Sequence, residues 1–599
     1  MDDGLASFLV LVAVALIITA VIGRRDASAV RRNFFRRMKD NFGKAPVKEI
    51  SEETGAHFPG YFSKHRSDGQ IDDITWNDLE MDRVFSRLDY TQSAAGEEYL
   101  YWLLRTPDLE LQCGSEKDPA APSAAVSGVP MDRLSEDKIR YFQDHETERM
   151  DAQTVMAILG HSGKYSLYDY LDLLDDLGEP SNFKNYLSII LLCAAVASMF
   201  INTQIGIVAL IAVLVFNMIT YYFQKRNNDA YLVVFRFIFR LIDANDTLAE
   251  KKWDAWAEEI AACRALKKTM AGFRRGSGIM MSAGTNSGNP LDIALDYIRI
   301  LLHLDLIKFN SMLRQVREKR AEIDRMIMLA GKIDAGASTA CWRASLPYYA
   351  VPEFTAASFE ANGLYHPLLD QPVANSISTD GWILLTGSNA SGKSTFLKSA
   401  ALCALLSQTL CTAPAESYRA CRYRIYSSMA LRDSLSSGES YFIVEIKSLK
   451  RILDAARDSD SKSAITSSAA PSERKDDAAS QSPSPILCFI DEVLRGTNTV
   501  ERIAASSEIL LDLHRRGIRC FAATHDVELT SLLQGSYENY HFEEQIENGD
   551  VLFNYRLQKG AATTRNAIRL LEAIGYEEDI VKNAENRASE FIRSGEWKR

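Results

Sequence analysis

The sequence predicts an α/β domain with a mixed sheet, set behind a largely α-helical region that contains membrane-crossing helices. Three observations carry that expectation. A glycine-rich loop at 387–395, G-S-N-A-S-G-K-S-T, sits between an apolar run and a helical pattern. A second apolar run, 485–490, ends in the acidic pair Asp491 and Glu492. Three long stretches, 5–23, 186–201 and 205–223, carry no charged residue.

From the front, residues 5–23 are long enough to cross a hydrocarbon core as a helix. Asp2 and Asp3 precede this stretch, and Arg24, Arg25, Arg31, Arg32, Arg36 and Arg37 follow it. Cations on the inner side place the N-terminus outside and the body in the cytoplasm. The acidic start disfavours a cleaved signal peptide, which begins basic. Residues 1–24 are thus read as an anchor and 25–49 as a basic juxtamembrane segment attracted to anionic headgroups.

Residues 50–345 read as mainly helical, with long patterns at about 230–273 and about 290–333. Leu295, Ile298, Leu302 and Leu306 show the spacing. Inside this region, 186–223 reads as a transmembrane hairpin turning at Asn202-Thr203-Gln204. Lys184 lies before it and Lys225 and Arg226 after it, so both feet stand in the cytoplasm. The competing reading is a buried helical hairpin of a soluble domain. Stretches 113–137 and 457–485 are rich in Ser, Ala, Pro and Asp and are expected to be unstructured, because they have little apolar surface to bury.

The domain at 346–599 carries the chemistry. Strand, glycine loop and helix in that order form a phosphate-binding P-loop, in which backbone N–H groups and the helix N-terminus face an anion. Gly387, Ser388, Asn389, Ala390, Ser391, Gly392, Lys393, Ser394 and Thr395 are the candidate cradle. Lys393 would reach the β- and γ-phosphates of a nucleotide, and the Ser394 hydroxyl would ligate Mg²⁺. A buried strand ending in Asp491 and Glu492 supplies a second Mg²⁺ ligand, Asp491, and a general base for water, Glu492. A third apolar strand, 519–523, leads to Thr524-His525-Asp526, and His525 is the candidate sensor of the γ-phosphate.

These blocks resemble the ATPase domain of the MutS DNA mismatch-repair family, a branch of the ABC-type ATPases. The resemblance runs through H-P-L-L at 366–369, the P-loop at 387–395 and P-A-E at 414–416. It continues through D-S-L-S-S-G-E-S-Y-F-I-V-E at 433–445, D-E-V-L-R-G-T-N-T at 491–499 and A-T-H at 523–525. It extends upstream to L-D-Y-T-Q-S-A-A-G-E-E-Y-L within 79–107 and to I-D-A at 333–335, which are similar to parts of the family's core and lever regions. What it implies is ATP with Mg²⁺ as cofactors, and a homodimer whose active sites are composite. Ser440 would reach the γ-phosphate in the partner's site, and Arg495 to Asn498 would lie at the same contact. His366 and Asn375 would join the nucleotide-binding residues. Departures are Pro372, where the family stacks an aromatic ring on adenine, Glu501-Arg502 in place of Asp-Gly, and Arg565-Asn566-Ala567 in place of Ser-Tyr-Gly.

The family's mismatch-reading Phe-x-Glu wedge has no counterpart in residues 1–78. The net charge of −11 is spread along the chain rather than blocked. Average hydropathy is that of a soluble body with a few spans, which excludes a polytopic transporter, and 436–440 is not the transporters' L-S-G-G-Q. Nine cysteines without a C-x-x-C pair read as free thiols in a reducing cytosol and exclude a zinc site. The expected function is a membrane-anchored, MutS-like ATPase that binds DNA without mismatch recognition. The alternative is an ATP-driven dimerising membrane switch that does not act on DNA.

Overall fold

The computed structural model describes residues 33–46, 55–109, 132–273, 297–355, 358–388, 391–429, 441–468, 484–494, 497–547, 550–562 and 575–594, with 568 and 571, and without 163 and 229–230. The expected first span at 5–23 lies outside these residues, as do Asn389, Ala390, Ser440 and Arg495.

The helical region is organised around one long helix, Arg320–Ser345, which is buried from Leu329 to Arg343. This lever helix extends well beyond Ile333, where the sequence pattern was expected to end. It packs against the helix Ala94–Arg105, and the junction is built on a carboxylate. Asp334, fully buried, accepts from the Gln92 and Ser93 backbone N–H groups and from the Ser93 hydroxyl. Ser93 in turn caps Ala94–Arg105 by accepting from the Gly96 N–H. N-terminal helix donors left without such partners would carry a desolvation penalty.

The expected continuous helix over 230–273 is two helices, Leu232–Leu248 and Ala257–Met270. The break has a packing cause. Trp253 and Trp256 both turn inward onto the Phe142 ring, with centroids 5.7 and 5.1 Å away. Both indoles are buried there, which removes large apolar rings from water. Glu259 of the second helix is buried between Lys332 of the lever helix, at 2.6 Å, and Lys138 of the helix Glu136–Asp144, at 2.5 Å.

Two helices, Phe183–Ile201 and Thr203–Asn228, form an antiparallel hairpin. The Asn202 side chain makes the turn by accepting from the Gln204 and Ile205 N–H groups. Both helices are long and apolar enough to cross a membrane, with mean hydropathies of 1.7 and 2.2, and only 17 % of either window is buried. Phe200 and Ile201 at the tip are each 89 % exposed. The low burial argues against the soluble-core reading of this hairpin. Polar residues close its foot. His303 contacts the Asn185 side chain at 3.1 Å and the Asn217 carbonyl at 3.2 Å, and Tyr221 donates to Asp305 at 2.6 Å. Asp305 opens the helix Leu304–Glu318, which leads directly into the lever.

The described residues of the C-terminal domain contain ten strands. They are β1 (Glu353–Phe354), β2 (Phe359–Leu364), β3 (Asn375–Thr379), β4 (Trp382–Thr386), β5 (Ser417–Ala420), β6 (Arg424–Ser428), β7 (Ile486–Asp491), β8 (Arg519–Ala523), β9 (Glu538–Glu547) and β10 (Asp550–Lys559). The main sheet is mixed, in the order β10-β9-β4-β8-β7-β6, parallel except for the antiparallel edge pair of β9 and β10. A smaller sheet, β1-β5-β2-β3, flanks it. Side-chain alternation splits the central strands between two cores. Ile383, Leu385, Phe489 and Phe521 face the helix Lys393–Leu410 and share its core with the helical region. Leu384, Cys488, Ile490 and Ala522 face the helices Tyr441–Ser468 and Thr499–Arg515.

Two expectations change. The helix Tyr441–Ser468 runs on into the stretch expected to be unstructured, 457–485. No Gly or Pro interrupts the sequence before Pro471, and extending a formed helix costs little. Among the described residues seven cysteines are free thiols, but Cys421 is disulfide-bonded, against the all-thiol expectation.

Glu259→Ala leaves Lys332 buried without its counter-charge. The expected loss is about 3–5 kcal/mol of stability, measured as a lower denaturation midpoint with an unchanged slope.

Candidate nucleotide-binding site

The cleft is built where β4, β7 and β8 end side by side. Parallel pairing aligns Leu385 with Ala523 and Asp491 with Ala523, so the three strand ends deliver their following loops to one edge. Clefts at the carboxyl ends of parallel strands are the usual ligand positions of α/β sheets.

The glycine loop leaves β4 with Gly387 at φ 143° and enters the helix with Gly392 at φ 108°. A Cβ on Gly387 would lie 2.9 Å from the Phe542 carbonyl oxygen of β9, so the loop passes too close to its neighbour for any side chain there. Lys393 is buried, and its ammonium donates to the Gly387 and Ser388 carbonyls at 2.8 and 2.7 Å. The Ser391 hydroxyl is buried and has no partner among the described residues. Ser394 and Thr395 are exposed at the helix N-terminus, where backbone N–H groups have no intrahelical acceptor.

Opposite the loop stand the acidic pair and the histidine. Asp491 is the last residue of β7 and is 9 % exposed. Glu492 turns into the left-handed region at φ 62°, and Leu494 follows at φ 60°. Such positions are costly for residues with side chains and hold only where neighbours impose them. Here the Glu492 N–H donates to the Ala523 carbonyl at 2.9 Å, and the Leu494 N–H donates to the Glu445 carboxylate at 2.5 Å. Glu445, 3 % exposed, belongs to the helix Tyr441–Ser468. The turn aims Glu492 at His525, whose Nε2 lies 2.8 Å from Glu492 Oε1. Ser391, Gly392, Lys393, Ser394, Thr395, Asp491, Glu492 and His525 thus line one cavity of about 300 Å³.

A second cavity, of about 280 Å³, opens beside the first and shares Gly392 and Thr395 with it. His366, Pro372, Val373, Asn375 and Phe396 line it. Burial, with Lys398 nearby, pushes the His366 imidazole down to about 4, so the wall it forms is uncharged at neutral pH. Tyr555 of β10 lines both cavities and was missed by the sequence reading. It sits at a bulge between Phe553 and Leu557 with φ 53°. Asn375 holds that bulge in place. Its amide donates to the Tyr555 carbonyl at 3.0 Å, and its oxygen accepts from the Leu557 N–H at 2.7 Å. Asn375 thus lines the second cavity and also fixes the backbone that carries Tyr555. Only the bulge brings Tyr555 to the cleft, and nothing in F-N-Y-R announces a left-handed tyrosine.

A family model described as MutS domain V matches residues 383–463 and 476–592. This part of the chain is similar to domain V of the MutS family. The match spans the P-loop, the acidic pair and His525 and ends within the helix Glu578–Ser594. Among curated proteins, the chain is 26 % identical over 294 residues to the DNA mismatch repair protein MutS of Thermotoga maritima, covering 47 % of this chain and 33 % of that protein. It is 30 % identical over 203 residues to the MutS of Thermus thermophilus, covering 34 % of this chain and 22 % of that protein. It is also 31 % identical over 271 residues to human MutS protein homolog 4, covering 42 % of this chain and 26 % of that protein. The chain thus spans a third or less of the length of these relatives. The MutS-type domain is joined to the helical region by direct polar contacts. Asp78 accepts from the Ser427 hydroxyl at 2.6 Å and from the Met429 N–H at 2.9 Å, and Lys398 of the P-loop helix pairs with Glu80 at 2.6 Å. In its last turn the lever helix carries Arg343, which donates to the Thr412 hydroxyl at 2.8 Å.

Proposed function

We propose that this chain is a membrane-anchored, MutS-like ATPase that hydrolyses ATP in composite sites between two copies and binds DNA without reading mismatches. The observation that carries the ATPase reading is the convergence of Lys393, Asp491, Glu492 and His525 on one cleft. The cleft fits a magnesium nucleotide. It offers an ammonium, the N–H groups of a helix N-terminus, a buried Ser391 hydroxyl with no partner among the described residues, and the Asp491 carboxylate in the same cavity as Ser394.

In this reading Lys393 exchanges its two loop carbonyls for phosphate oxygens. The shift from neutral to charge-assisted acceptors strengthens its hydrogen bonds. Ser394 and Asp491 would hold Mg²⁺, which supplies charge neutralisation on the phosphates. Glu492 takes a proton from the attacking water, and His525 fixes the carboxylate that does so. Tyr555 offers a ring face beside the second cavity, where the base would lie against Pro372. This supplies the aromatic contact that Pro372 lacks. By resemblance, Ser440 of a second copy closes each site.

The membrane part of the proposal rests on the hairpin Phe183–Asn228, its low burial and its flanking Lys184, Lys225 and Arg226. The domain would then work on the cytoplasmic side. The DNA part rests on the relatives named as mismatch repair proteins. One observation favours the alternative, a switch that does not act on DNA. The hairpin foot is bonded to the helix that feeds the lever, so lever motion would be passed to the hairpin.

Glu492→Gln is expected to bind ATP, hydrolyse it at least about a hundredfold more slowly and accumulate as a dimer in sedimentation with ATP. Unchanged turnover would remove the proposed base. Phosphate release with and without duplex DNA separates the two readings: acceleration supports DNA handling, and equal rates support the switch. Alkaline carbonate washing is expected to leave the chain in the membrane pellet, and release into the supernatant would remove the anchor.

A further inference from the structure

His525 is placed by its neighbours, because the loop that carries it follows β8 and has only a short helix, Glu528–Leu532, behind it. The next residue, Asp526, is 9 % exposed and folds back, its N–H donating to the Thr524 hydroxyl at 3.0 Å. Its carboxylate grips Arg502 in a two-point bond. Arg502 Nε donates to Oδ2 at 2.9 Å and Nη2 donates to Oδ1 at 2.5 Å. Arg502 stands on the first turn of the helix Thr499–Arg515, just after its Asn498 cap. Two parallel bonds between a planar guanidinium and a carboxylate fix orientation as well as distance.

The pair therefore ties the loop after β8 to the helix that follows β7. His525 sits on that loop, and Glu492 sits in the turn between β7 and that helix. Hydrogen bonding to Asp526 raises the Arg502 guanidinium above its ordinary value, and the Glu492 and Glu528 charges add to the effect. The cation thus also lies in the field of the proposed base. At the position of Arg502, the MutS pattern quoted above has glycine, which offers no such bond.

We propose that Arg502 is a positioning residue: through Asp526 it holds His525 against Glu492 and so sets how the attacking water is oriented. This rests on the ATPase reading. A pair that served stability alone would lower the melting temperature when broken and leave turnover by the folded protein unchanged.

The test is a double-mutant cycle on the full chain, comparing Arg502→Ala, Asp526→Asn and the double variant in steady-state ATP hydrolysis. Each single variant is expected to lose about tenfold in kcat with KM unchanged, and the double variant no more than either single, because both break the same brace. Arg502→Lys, which keeps one of the two bonds, is expected to recover part of the loss. Wild-type turnover in both singles, losses that multiply in the double, or a raised KM with kcat intact would each overturn the brace. Asp526→Asn preserves size and shape, and its melting curve keeps the result readable should Arg502→Ala fold poorly. Glu492→Gln runs alongside. If wild type hydrolyses ATP, Glu492→Gln does not, and the brace variants match wild type, the brace alone falls. If wild type fails to hydrolyse ATP, the ATPase reading falls and takes the brace with it.

Discussion

The helix Lys393–Leu410 is buried almost all round, and the rest of the site depends on that burial. A helix apolar on every face belongs to a core. Here one face meets the main sheet through Phe489 and Phe521, and others meet the helical region through the same continuous core. Packed this way, the helix cannot rotate or slide without opening apolar surface on both sides. Its N-terminus is therefore a fixed point. Lys393, Ser394 and Thr395 inherit that fixity, and so does the glycine loop that must bend sharply to reach it.

The opposite wall of the cleft is held differently. It depends on a backbone turn after β7 in which Glu492 and Leu494 are both left-handed. Each is held through its own N–H, one on β8 and one on the Glu445 carboxylate. The turn is thus sensitive to any movement of the helix Tyr441–Ser468, whereas the P-loop wall is not.

Much of this was legible in the sequence. The strand–loop–helix at 387–395, the strand ending in Asp491 and Glu492, and the mixed sheet follow from local pattern, because glycines and buried apolar runs report directly on backbone and burial. That 186–223 folds as two helices turning at Asn202-Thr203-Gln204 was also legible, from two long apolar stretches with a polar break between them. What was hidden depends on contacts distant in sequence. Tyr555 reaches the cleft only through a bulge that Asn375 stabilises from across the sheet. The bond between Arg502 and Asp526 joins two segments whose strands are adjacent only once the sheet has formed. The break between Leu248 and Ala257 follows from burying two tryptophans on Phe142, a demand no helical periodicity reveals. Helix propagation past Arg457 shows the reverse case, where polar composition alone was too weak a guide.

The central claim is physical: the glycine loop and the end of the Lys393–Leu410 helix form a cradle for the phosphates of a magnesium nucleotide. A structure determined with ADP and Mg²⁺ tests it most directly. The account predicts the terminal phosphate against the N–H groups of residues 391–395, Lys393 moved off the Gly387 and Ser388 carbonyls onto phosphate oxygens, and the base beside Tyr555. Lys393 still bonded to its own loop, with the nucleotide elsewhere or absent at saturating concentration, would contradict it.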